Sequence, residues 1–90
     1  MTVLFYGSVL EYTNGEKSYE VPDISAGCSN VRDLAGKLGD HFGKRFQNFL
    51  LRDEKCFFLI NGSGIMMTGG LDTKLHPGDR IEVLPIAQAG

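Results

Sequence analysis

One apolar stripe sets the architecture of this chain. Val31, Leu34, Ala35, Leu38 and Phe42 recur at helical spacing, and a stripe of that kind must be buried against another layer. Asn30 stands where a helix cap belongs, with Asp33 three residues on in a variant of the capping box. Gly43 supplies the C-terminal stop. Gly36 and Gly39 lie inside the helix and each costs roughly 1 kcal/mol relative to alanine, so packing must make up the deficit. Lys44 to Leu51 reads as a short second helical segment. The stretches before and after the helix read as strands, so a sheet is the layer available to cover it.

Residues 3–9 are apolar and β-rich on both parities, which predicts a strand inside the sheet. Thr13-Asn14-Gly15 is a turn signal, and residues 17–21 alternate like a half-buried strand. Together they predict an antiparallel hairpin. Residues 55–60 form an aromatic-rich strand, Asn61-Gly62 a hairpin turn, and residues 64–68 a short partner strand. Residues 69–75 read as a loop with one helical turn. Pro77-Gly78 fits the centre of a type II turn. Arg80 to Leu84 is the last strand, with Ile81 and Val83 facing one way and Glu82 and Leu84 the other. The order ββ-α-ββ-β predicts a two-layer α+β domain. A parallel pairing of the last strand with the first would make it a β-grasp, a mixed sheet packed on one main helix.

Ninety residues leave room for one domain and one modest core. Residues 1–84 are assigned to that domain and 85–90 to a flexible C-terminal tail. The longest interior apolar run is Cys56 to Ile60, far short of the roughly 20 residues of a membrane span. No signal-peptide pattern opens the chain, and a cytoplasmic protein is expected. The net charge of -2 gives no footprint for a phosphate backbone, so no nucleic-acid partner is expected. Cys28 and Cys56 match no metal or redox spacing and read as thiols of a reducing compartment.

The candidate sites are weak until the end of the chain. Asn61-Gly62-Ser63-Gly64 resembles a phosphate loop but lacks the following helix and lysine, and a hairpin turn explains it. His41 and His76 have no ligand-spaced companions. Lys44, Arg45, Arg52 and Lys55 form a loose basic patch that reads as a solvated face. Ser8, Ser18, Ser25, Ser29 and Ser63 lack any nucleophile context. The chain is therefore not expected to be an enzyme by itself. The tail is different: Pro85, Ile86, Ala87, Gln88 and Ala89 carry no charge and can extend roughly 20 Å. They end in Gly90, whose backbone is unhindered.

Val3-Leu4-Phe5-Tyr6-Gly7-Ser8-Val9-Leu10-Glu11-Tyr12 resembles the first strand of the MoaD family, the small ubiquitin-like subunits of molybdopterin synthase. The resemblance continues through Asn30-Val31-Arg32-Asp33-Leu34 and Ile60-Asn61-Gly62. It is densest in Gly70-Leu71-Asp72-Thr73-Lys74-Leu75 and in residues 77–85, Pro-Gly-Asp-Arg-Ile-Glu-Val-Leu-Pro. The related ThiS-like thiamin sulfur carriers rank second.

The resemblance implies a β-grasp sulfur carrier with no bound cofactor. In that family a ubiquitin-activating-type, MoeB-like enzyme consumes ATP to adenylate the terminal glycine, and sulfur then gives a thiocarboxylate. A MoaE-like large subunit uses it to build the dithiolene of molybdopterin. Carried over, Gly90 is the modified residue, residues 85–89 form the arm inserted into the partner, and Leu84 belongs to the partner surface. Family tails end Gly-Gly, whereas this one ends Ala89-Gly90, a departure that points to a weakened or changed partner. A ubiquitin-like protein modifier, or a β-grasp interaction module without chemistry, stands as the alternative.

Overall fold

The computed structural model describes residues 1–21, 29–52 and 56–86. Its regular elements are β1 (Thr2–Phe5), β2 (Ser18–Glu20), α1 (Val31–Phe42), α2 (Lys44–Leu50), β3 (Cys56–Ile60), β4 (Ser63–Gly64) and β5 (Arg80–Pro85). Three 3₁₀ turns lie between them, at Gly7–Glu11, Ile65–Met67 and Gly70–Asp72. The five strands form one mixed sheet in the order β2-β1-β5-β3-β4. The last strand lies parallel to the first, Val3 opposite Ile81 and Phe5 opposite Val83. It runs antiparallel to β3, Phe57 opposite Leu84. This is the β-grasp expected from the sequence, with α1 as its main helix and the expected short second segment as α2.

The helix stripe faces inward as its spacing requires. Val31, Leu34, Ala35 and Leu38 are fully buried and meet Val3, Phe5, Phe58, Ile81 and Val83 in one core. Asn30 caps α1, its side-chain oxygen accepting from the Asp33 N–H at 2.8 Å. Asp33 Oδ2 accepts from the backbone N–H and the hydroxyl of Ser29, both at 3.1 Å. Those two bonds, the backbone one first, hold the Asp33 carboxyl below its ordinary value of 3.8.

A lowered folded value means that this carboxylate favours the native state above its unfolded pKa. The contribution is lost as pH falls through the folded value. In a carbon-detected NMR titration Asp33 is expected to have its midpoint below 3.8. Ser29→Ala should move that midpoint upward; an unmoved midpoint would reject the assignment.

The helical glycines separate by environment. A Cβ on Gly39 would lie 2.5 Å from Gln47 Cβ, whereas one on Gly36 meets nothing within 4 Å. Gly39 is what lets α2 pack close to α1, and Gly43, at φ +117, turns the chain between them. Gly36→Ala is therefore expected to stabilise by about 0.5–1 kcal/mol. Gly39→Ala is expected to destabilise, because overpacking costs about 1–3 kcal/mol and outweighs the propensity gain. Urea unfolding of the two variants checks the opposite signs.

Two strand expectations are corrected. The first strand stops at Phe5 instead of reaching residue 9, because Gly7 adopts φ +59 and starts a 3₁₀ turn. That turn delivers Val9 into the core at 0% exposure. Of the expected partner strand, residues 64–68, only Gly64 pairs with β3, joined by Ser63 before it. Residues 65–67 turn instead, because the Ile65 carbonyl accepts the Thr68 N–H at 3.0 Å and the Thr68 and Thr73 hydroxyls at 3.3 and 3.5 Å. The Asn14-Gly15, Asn61-Gly62 and Pro77-Gly78 turns are present, each with positive φ where expected.

Candidate functional site

Strand β5 occupies the middle of the sheet, so alternation along it sorts its side chains between two unlike environments. Ile81 and Val83 point to the helices and are fully buried. Arg80, Glu82 and Leu84 point the other way. Their cross-strand neighbours there are Thr2 and Leu4 on β1, and Leu59 and Phe57 on β3. This second face is open. Phe57 is 39% exposed and Tyr6 38%, while Leu4, Leu59 and Leu84 are half-buried.

Topology also decides where the end of the chain leaves the sheet. Parallel pairing brings Tyr6-Gly7, just after β1, to the same edge as the end of β5. Antiparallel pairing brings the start of β3, Cys56-Phe57, to its other flank. A Cβ on Gly7 would approach Pro85 Cγ to 3.0 Å, so Gly7 leaves the room in which Pro85 sits. The Tyr6 N–H donates to the Val83 carbonyl at 3.2 Å. The Tyr6 hydroxyl donates to Glu82 Oε2 at 2.9 Å, which lays the ring on the open face. Beyond Pro85, Ile86 lines a groove of about 430 Å³ together with Cys56, Ile65, Met66 and Leu71.

Leu84 is thus on the open face as the sequence suggested. Pro85 is the last residue of β5, opposite Cys56, and is held by the sheet. Ile86 follows it. Ala87, Gln88, Ala89 and Gly90 lie outside the described residues, as do Cys28 and Lys55. Sequence reasoning did not single out Tyr6, Phe57, Leu59 or Glu82. Parity held the signal for three of them: in strands whose Phe58 and Val83 are core, Phe57, Leu59 and Glu82 must point away. Tyr6 needed the tertiary hydrogen bond.

Several of the remaining sequence candidates have structural roles, while Ser25 lies outside the described residues. Asn61 ties its hairpin to β5, donating to Asp79 Oδ1 and accepting from the Arg80 N–H, both at 3.0 Å. His41 stacks on Tyr19 at 4.3 Å, and His76 Nδ1 lies 3.9 Å from Asp79 Oδ2. Arg45 sits over the Tyr12 ring, with Lys44 and Arg52 exposed nearby. Cys56 is buried, its Sγ 3.9 Å from the Phe49 and Leu50 carbonyl oxygens. Among the described residues no group of three metal-ligating side chains occurs, and no helix is long and apolar enough to cross a membrane.

Residues 3–90 match the model of the ThiS family. No curated protein sequence matches the chain. Solved structures share its fold at low identity. A chain of the BexX–CysO complex of Amycolatopsis orientalis superposes with a TM-score of 0.77 at 22% identity, over 99% of this chain and 98% of that one. Urm1 of Trypanosoma brucei gives 0.78 at 20% identity, over 99% and 93%. A chain from the complex of subunits 1 and 2 of the molybdopterin-converting factor of Helicobacter pylori gives 0.61 at 22%, over 99% and 96%.

Proposed function

This chain belongs to the ThiS family, and from that premise we propose that it is a sulfur carrier whose reactive group is its own terminal carboxylate, on Gly90. The observation that carries this reading is the course of β5. The central strand, hydrogen-bonded on both sides, leads straight out of the sheet at Pro85, beside an uncovered apolar face. A rigid body then holds the arm, and the face can seat whichever protein receives it. We assign residues 1–85 to the body, since Pro85 is still paired in β5, 86–90 to the arm, and Leu84, Tyr6, Leu4, Leu59 and Phe57 to the docking face.

The chemistry follows from the carboxylate. A terminal carboxylate is an anion at pH 7 and a poor electrophile. Attack of that oxygen on the α-phosphorus of ATP, with loss of pyrophosphate, makes a mixed anhydride. Hydrosulfide then displaces AMP at the carbonyl carbon and, on losing its proton, leaves a thiocarboxylate. Tethered sulfur is delivered at high effective concentration. The carrier needs no cofactor and no catalytic residue of its own; a ubiquitin-activating-type, MoeB-like enzyme supplies the catalysis. The setting proposed is the cytoplasm.

The ordered motifs in residues 70–85 support a finer assignment, the small subunit of molybdopterin synthase acting with a MoaE-like large subunit. Ala89 favours a second reading, a carrier or protein modifier serving another acceptor. Intact mass decides the first level. Incubated with ATP, the activating enzyme of the source organism and a sulfur donor, the chain should gain the mass of one sulfur in place of one oxygen. No adduct with any activating enzyme of that organism rejects the carrier reading. Turnover of the thiocarboxylate by a molybdopterin synthase large subunit separates the two acceptors.

A channel that demands positive φ at the penultimate residue penalises a β-carbon by roughly 1–2 kcal/mol. Ala89→Gly is accordingly expected to speed adenylation about 5- to 30-fold. An unchanged rate would show that the channel does not read this position.

A further inference from the structure

Glu82 is the one carboxylate on β5, and it stands in the middle of the apolar face. Across the strands it is flanked by Leu4 on one side and Leu59 on the other, with Leu84 next along the same face. Its side chain is only 19% exposed in the free protein. Both contacts made to it go to one oxygen: Oε2 accepts the Tyr6 hydroxyl at 2.9 Å and lies 3.8 Å from Arg80 Nη2. Among the described residues nothing bonds Oε1, and no buried side-chain oxygen lacks a partner, so Oε1 is turned to water.

A protein seated on this face takes that water away. An ionised carboxylate losing its solvent without a replacement is strongly unfavourable, whereas a charge-assisted pair offsets the loss. Among the described residues the chain's own cations do not serve. Arg80 makes a single-nitrogen contact, off hydrogen-bonding distance and to the oxygen already occupied. Lys17 lines a depression with Leu4 and Tyr6 and makes no ion pair with Glu82. The other acid on this face, Glu20, is occupied by the N-terminal amine and by Thr2.

We infer that Glu82 is the charge selector of the docking face: its partner presents an arginine or lysine to Glu82 Oε1 from within an apolar patch. The inference rests on the docking-face reading above and adds the partner's chemistry. Tyr6 is the positioning residue, since its hydroxyl fixes Oε2 and thereby aims Oε1 outward. The device also excludes partners, because an apolar or acidic group at that point leaves the carboxylate unpaired or repelled.

The test measures binding of the full chain to the activating enzyme that adenylates it, at several salt concentrations. Glu82→Gln keeps the shape and the Tyr6 bond but removes the charge. It is expected to weaken binding about 30-fold or more and to flatten the salt dependence. Glu82→Lys should weaken it further, with a melting temperature recorded to confirm folding. Leu84→Asp tests the face itself and should abolish binding. If Glu82→Gln binds like wild type while Leu84→Asp fails, the charge-selector inference falls and the docking face stands. If Leu84→Asp also binds like wild type, both fall.

Discussion

A chain lacking Gly90 is expected to take up no sulfur while melting at the wild-type temperature. Deletion moves the reacting carboxylate back by one residue, about 3.3–3.6 Å. Misplacement of a reacting atom by only about 1 Å can cost on the order of 100-fold in rate. It also puts a β-carbon beside the carbonyl that must accept the adenylate. The fold is expected to tolerate the loss, because among the described residues the buried core runs from Val3 to Val83. Intact mass after incubation with ATP, activating enzyme and sulfur donor reads the first effect, and thermal unfolding the second. An adduct formed at the wild-type rate would remove Gly90 from the mechanism. This variant separates the end of the chain from the docking face, since it leaves Leu84 and Glu82 in place and should still bind the activating enzyme.

The second large effect concerns stability. Phe46 is 1% exposed and packs edge-on against Phe5 and Phe42, at 5.7 Å each, while stacking with Tyr12 and Phe49. It joins α2, α1 and the sheet in one cluster. Phe46→Ala is expected to cost about 3–5 kcal/mol, the transfer loss plus the cavity. In a domain of this size each kcal/mol is worth roughly 4–8 °C of melting temperature. A fall of at least about 12 °C follows, and it consumes much of a typical stability of about 5–15 kcal/mol. Urea unfolding measures it, and a loss under about 1 kcal/mol would show that the cluster is not the keystone of the core. Phe57→Ala supplies the contrast. That ring is 39% exposed, so its removal should change stability far less and weaken partner binding instead.

Those two phenylalanines show what the pattern of residues could and could not say. Both sit in apolar stretches and look alike in composition. Alternation along β3 puts Phe57 and Phe58 on opposite faces, and the burial of Phe58 at 2% shows which of them is inward. The inward face of α2, with Phe46 at 1% exposure, came from its packing on the core. The cap at Asn30, the stop at Gly43, the hairpin at Asn61-Gly62 and the turn at Pro77-Gly78 were legible in the sequence. Each depends on backbone φ preferences and hydrogen bonds spanning about four residues. The two misread stretches, residues 6–9 and 65–68, are apolar and β-prone, and local preference favours extending them. Tertiary contacts overrode it, through the close approach of Pro85 at Gly7 and the hydroxyls gathered at the Ile65 carbonyl.

The sequence alone determined the order of elements, the inward face of α1, the alternation of β5 and the α+β class, because these follow from interactions among near neighbours. Tertiary structure decided which glycine was a requirement and which a weakness. Gly39 is held by Gln47 on the next helix, and nothing packs where a Gly36 Cβ would lie. It also decided what surrounds the exit of the chain, where Tyr6 and Glu82 meet across 76 positions. No local rule reaches that far. Only the parallel pairing of the first and last strands brings the two residues together, and that pairing is formed by burial of the core between them.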